Sequence, residues 1–194
     1  MAYTANTAFE ARVSNNEWEN LVNVTGQFQS GSPAADADCS AGFLCVRGAN
    51  LPCEGFPGVV NENAFYMTAA AATVGIDDVI YACNTYDSKK VSDGANAWHV
   101  GHATLGLGIP AGERGTFTEV VFNNKNVYRF GVGNTTDAGA GSFYTIANGL
   151  LAPADAAPDT AGSIYFKTVG TGNFVEGNID SFGYVDLRAC KVSA

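Results

Sequence analysis

Gly115-Thr116-Phe117-Thr118-Glu119-Val120-Val121-Phe122, Asn123-Asn124-Lys125-Asn126 and Val127-Tyr128-Arg129-Phe130-Gly131-Val132 form the continuous stretch on which the fold depends. Two runs of β-branched and aromatic residues flank a tetrapeptide rich in asparagine, which tolerates positive φ. The stretch reads as strand, turn, strand, and predicts an antiparallel hairpin. Toward the C-terminus the same grammar continues. Gly141 to Ala147, an Asn148-Gly149 turn and Leu150-Leu151 read as a second hairpin, and 152–160 as an Ala/Asp/Pro surface loop. Ile164 to Val169 and Phe182 to Ala189 read as the last two strands. In the final one Val185, Leu187 and Ala189 share one face and Asp186 and Arg188 the other, the alternation of a half-buried strand. Toward the N-terminus Trp98 to Leu107 and Val79 to Cys83 read as strands. Ala64 to Thr73 reads as a strand on Phe65-Tyr66-Met67-Thr68, against the helical preference of the four alanines that follow.

Short strands punctuated by turns, with no 10–15-residue crossover helix after residue 75, predict a mainly β chain, an antiparallel β-sandwich or barrel. The start differs. Phe9, Val13, Trp18 and Leu21 recur at loose helical spacing, and Thr7 with Glu10 makes a capping box. This predicts a short helix over about 7–20, or an arm ordered by a partner, within an N-terminal segment 1–25. Residues 26–194 then form a single β-rich domain, and Ser32-Pro33, Leu51-Pro52 and Phe56-Pro57-Gly58 make 31–63 loop-rich. Gly131-Val132-Gly133-Asn134 and Gly170-Thr171-Gly172-Asn173 echo one another and read as two similar turns.

The chain has 194 residues, the size of one ordinary domain. Ten Lys and Arg against nineteen Asp and Glu leave a charge of −9, which argues against a nucleic-acid partner and against a polybasic membrane surface. No apolar run approaches the length of a membrane helix. Met1-Ala2-Tyr3-Thr4-Ala5-Asn6 carries no signal-peptide pattern, so synthesis in the cytoplasm is expected, unless a leader was removed. Charged residues are only 15% of the chain, too few to coat its surface densely, which favours a homo-oligomer hiding part of that surface.

No pattern of reactive residues commits the chain to catalysis, and neither a catalytic site nor a cofactor is expected. Cys39, Cys45 and Cys53, with His99 or His102, offer a zinc set, but the five and seven intervening residues are wider than structural sites use. Buried, reduced thiols are the simpler reading for Cys39, Cys45, Cys53, Cys83 and Cys190. Bridges within Cys39–Cys53 or between Cys83 and Cys190 are the alternative in an oxidising setting. His99 and His102 in a strand fall on opposite faces. Gly106-Leu107-Gly108 imitates a dinucleotide fingerprint but leads through Pro110 into a strand rather than a helix. Cys83 or Cys190 as a nucleophile lacks a local signature. Among the acids Asp77, Asp78, Glu113 and Glu119 nothing singles out a pair for glycoside hydrolysis. Trp98, Tyr128, Phe130, Tyr144, Tyr165 and Phe174 suit a sugar-stacking surface or, more simply, a core or a subunit interface.

Leu105 to Phe117 (LGLGIPAGERGTF), Val127 to Asn134 (VYRFGVGN), Tyr144 to Gly149 (YTIANG) and Tyr184 to Cys190 (YVDLRAC) together resemble structural proteins of tailed phages and prophages of gut Firmicutes. The resemblance covers about residues 75–192. It implies a virion component of the capsid-decoration or head-associated type, β-rich and often trimeric, binding the shell by shape and an N-terminal arm. It implies no catalytic residues. The partners it implies are further copies of the chain and the major capsid or other virion proteins. A carbohydrate- or host-surface-binding β-module is the alternative.

Overall fold

The computed structural model describes residues 7–12, 22–53, 55–72, 78–84, 108–137, 141–173 and 183–193. Its strands are β1 (Phe9–Arg12), β2 (Asn23–Ser30), β3 (Ala35–Asp36), β4 (Cys39–Ser40), β5 (Leu44–Pro52), β6 (Val60–Ala69) and β7 (Ile80–Asn84). They continue with β8 (Gly108–Ile109), β9 (Gly115–Val120), β10 (Val127–Gly131), β11 (Phe143–Ala147), β12 (Leu150–Ala154), β13 (Ile164–Asn173) and β14 (Gly183–Lys191). One 3-10 turn, Val132–Asn134, follows β10. The chain is mainly β, as its grammar implies.

One sheet runs β1-β10-β14-β13-β11-β12, antiparallel throughout. The other runs β3-β2-β6-β5-β7-β9, and β9 pairs again with β2. The pairings β2–β6–β5–β7–β9–β2 therefore return to their start, a closed ring of five strands. One pair in the ring, β2 with β6, is parallel, which corrects the expectation of antiparallel pairing throughout. A long connection through β3, β4 and β5 separates the two, so no hairpin dictates their direction.

The deciding stretch makes two strands, but not a hairpin. β9 pairs with β7 and β2 in the ring, whereas β10 pairs with β1 and β14 in the other sheet. Residues 121–126 are a corner between layers. Asn123 Oδ1 accepts from the backbone N–H of Lys125 and Asn126, both at 2.9 Å, and Asn124 takes the expected positive φ of 63°. Asn124 also clamps Lys191 through both its amide groups, at 3.0 and 3.2 Å. The Tyr128 ring is fully buried, and its hydroxyl accepts the Val121 N–H at 2.9 Å. Backbone groups that a hairpin ladder would have paired are thus satisfied by side chains.

Two further expectations are corrected. The capped helix over 7–20 gives way, at Phe9–Arg12, to an edge strand on β10, because Phe9 stacks with Tyr128 and Phe130 in the core. Residues 13–20 lie outside those described. The loop-rich segment 31–63 contains β3, β4, the nine-residue β5 and the start of β6. Gly48 lies where the β5–β6 register shifts between Arg47 and Asn50, with a further shift at Asn50/Pro52, whereas Gly31, Gly42, Gly55 and Gly58 take positive φ in turns. The Asn148-Gly149 turn joins β11 to β12 with positive φ at both residues, as expected. Of the strands expected at Val79–Cys83, Ala64–Thr73 and the last two runs, the described residues form strands at Ile80–Asn84, Val60–Ala69, Ile164–Asn173 and Gly183–Lys191, with β6 ending at Ala69, and that proposed at Trp98–Leu107 lies outside the described residues. The two Gly-x-Gly-Asn runs differ: 131–134 enters the 3-10 turn, while 170–173 stays in β13.

Alternation along the ring strands builds two cores. Leu44, Ile80, Ala82 and Val120 point out of the ring to meet Phe9, Tyr128, Phe130, Tyr144, Phe166 and Leu187 of the other sheet. Cys45, Tyr81, Cys83 and Phe117, one residue out of phase, point inward to Phe28, Phe65, Met67 and Ile109. Gly26 lies inside this small ring, where a Cβ would overlap the Met67 side chain and the Phe117 ring. Its missing side chain lets two large neighbours fill the interior. Asn134, 1% exposed, accepts the Ala8 N–H at 3.0 Å and donates to the Ala41 carbonyl at 2.6 Å, tying the two layers together at one end.

Candidate functional site

Three of the five cysteines converge. Cys45 and Cys83 enter the ring interior from neighbouring strands β5 and β7, and β4 brings Cys39 over them. The Cys83 thiol donates to the Cys39 carbonyl at 3.6 Å, and the Cys45 thiol to that of Phe43 at 3.8 Å. β4 approaches this closely because it pairs with β8 at Gly108, where a Cβ would overlap the Cys39 backbone. Burial pushes the Cys39 and Cys83 thiols well up and that of Cys45 up, with thiol neighbours adding to the effect at Cys39 and Cys83. Such groups stay protonated at neutral pH and are poor nucleophiles.

The remaining sequence candidates are dispersed. Cys53 stands half-buried at the end of the β5–β6 hairpin. Cys190 faces Tyr165 across β13–β14, and burial pushes its thiol up. All five cysteines are free thiols, so neither proposed bridge is present. No three Cys, His, Asp or Glu side chains among the described residues are grouped to hold a metal ion. His99, His102, Trp98, Phe174, Asp77, Gly106 and Leu107 lie outside the described residues. Gly108 opens a two-residue strand, not a helix. Glu119 sits opposite Tyr81 in the ring, Glu113 in an exposed turn and Asp78 before β7. Of the six aromatics named above, Tyr128, Phe130 and Tyr144 are core residues, the simpler of the readings offered for them.

The face of the first sheet that points away from the ring carries its polar chemistry. Cross-strand register places Val127, Arg188, Lys167 and Phe143 in one row over β10, β14, β13 and β11, and Arg12 of β1 takes the next register position beyond Val127. Arg129 and Asp186 form the adjacent row as a two-pronged ion pair, Nε–Oδ1 2.7 Å and Nη2–Oδ2 2.9 Å. The Arg129 guanidinium lies 3.5 Å from the centroid of Tyr184. Phe143 and Tyr165 form a tilted, half-exposed ring pair with centroids 6.1 Å apart beside Lys167. A bulge at Val169 shifts the register so that Lys167 stands directly opposite Arg188.

The sequence reading missed this juxtaposition because Lys167 and Arg188 are far apart in the chain and only strand register joins them. The alternation in β14 was its one visible sign. No helix among the described residues is long and apolar enough to cross a membrane. Comparison of the chain with protein families, with curated proteins and with solved structures finds no match.

Proposed function

We propose that this chain is a non-enzymatic structural protein of a virion, a capsid-decoration or head-associated component made in the host cytoplasm. It acts as a homo-oligomer, a trimer, through contacts with the shell. We infer that its architecture is a five-stranded barrel packed against a six-stranded sheet, a rigid body that presents loops and faces rather than a catalytic cleft. The observation that carries the reading is apolar surface left in water at the tip of the β5–β6 hairpin. There Phe56 is 66%, Val59 50% and Val60 59% exposed, held in tight turns by Cys53, Phe56 and Val59 backbone bonds. A cluster of this kind marks a protein contact. The protonated thiols of the ring interior support the non-enzymatic part, since they serve as packing.

The test is co-sedimentation with assembled heads of the phage that carries this sequence, stripped of the chain itself. Saturable binding, abolished by Phe56→Ser with Val59→Ser, is expected, and a chain that stays in the supernatant at every shell concentration contradicts the proposal. Among the described residues, the carbohydrate-binding alternative keeps Phe143, Tyr165 and Tyr184 as half-exposed rings on the outer sheet face. Specific hits on a glycan array would bring it forward.

A further inference from the structure

We propose that the Lys167–Arg188 row is the acceptor half of a head-to-tail junction, and that its occupant is the acidic turn Asp36/Asp38/Glu113 of a second copy of this chain. The inference rests on the oligomeric part of the proposed function and names the surface that makes it.

Two cations directly opposite one another on neighbouring strands repel, and such pairs destabilise a sheet. The chain has only ten Lys and Arg in all, so placing two directly opposite one another is a marked local excess. Both side chains are exposed. The nearest carboxylate on that face, Asp186, commits both oxygens to Arg129. The other face neighbours are Val127, Phe143, Tyr165 and Cys190, none of which is anionic at neutral pH. An anionic partner relieves the repulsion, and flanking aromatic rings suit a protein contact.

The chain itself supplies the anion. In the ring sheet Asp36 Oδ1 accepts from Gln29 at 3.1 Å, and Asp38 Oδ1 accepts the Ala111 N–H at 2.8 Å. Glu113 closes the same turn on the Pro110 carbonyl at 3.0 Å. A Cβ on Gly112 in that turn would stand 3.6 Å from Asp36 Oδ2, so the acids gather around one turn. Arg114 is directed to the Pro52 carbonyl. Two bodies of charge −9 repel at a distance, so self-association needs local counter-charge, and the Lys167–Arg188 row supplies it. Row and turn are different patches, so the contact is heterologous, and a three-fold rotation between copies would close it into a ring.

The test compares three chains by light scattering: wild type, Lys167→Glu with Arg188→Glu, and Asp36→Lys with Asp38→Lys. The wild type is expected to oligomerise, with its assembly weakened by salt. Each double variant should lose association at least about tenfold. The two variants mixed together keep the native junction, the turn of the first against the row of the second, and also set the reversed row of the first against the reversed turn of the second, so mixing is expected to restore association that neither variant shows alone. A wild-type oligomer unmoved by either variant overturns the junction while leaving the oligomer standing. A monomeric wild type overturns both. Loss in the row variant together with specific retention of wild type on an acidic glycan, and none on itself, overturns the occupant.

Discussion

The Tyr128 hydroxyl shows how one atom holds a topology. It is the acceptor for the Val121 N–H at the corner where the chain leaves one layer for the other. Tyr128→Phe keeps the ring and strands that N–H, so a loss of about 1–3 kcal/mol is expected in urea unfolding, with the m-value unchanged. The buried thiols predict a pH response. Their ionisation is pushed up in the folded chain, so stability is intact below pH ~8.5, where free thiols begin to ionise in the unfolded chain, and falls as pH rises toward the folded values. The slope is at most about 1.4 kcal/mol per pH unit for each thiol. Denaturation midpoints at pH 8 and pH 10 check it, and Cys83→Ala should flatten the difference. Residue chemistry of this kind was partly legible. Reduced, buried cysteines and a positive-φ asparagine followed from residue type alone, whereas the meeting of Cys39, Cys45 and Cys83 required the ring to close.

Elements were legible where pattern is local. Val185, Leu187 and Ala189 against Asp186 and Arg188 disclosed β14, and Asn148-Gly149 disclosed the β11–β12 turn. Pairing was not, because a strand's own residues do not name its neighbour. The stretch around Asn123-Asn124-Lys125-Asn126 has the composition of a hairpin, and what separates β9 from β10 is that Phe117 packs inside the ring while Phe130 packs between the layers. Phe9 misled for a related reason: its spacing to Val13 and Trp18 is helical, but its partner Tyr128 lies more than a hundred residues away. Ring closure makes its own prediction at Gly26. Gly26→Val forces a branched side chain against Met67 and Phe117, and should cost roughly 1–3 kcal/mol or more as the ring is overpacked. Gly170→Val, at an open position facing Asp186 at 3.8 Å, is the control expected to cost much less in the same thermal melts.

At the scale of the whole molecule, charge and shape lead to the same account. A −9 chain with few charges sets two of its ten Lys and Arg directly opposite one another on one sheet. Three of the exposed large apolar side chains among the described residues, Phe56, Val59 and Val60, gather at a hairpin tip of the other. One patch suits a neighbour of the same kind, the other a shell. Low charge density led to the expectation of an oligomer but not to the surfaces proposed for it, which depend on register and ring closure. The central claim is that the chain works as an assembled oligomer, and size exclusion with light scattering at physiological salt tests it most directly. The account predicts a closed trimer of about 60 kDa, three chains of 20.1 kDa. A monomer of 20.1 kDa that persists as the protein is concentrated would contradict it.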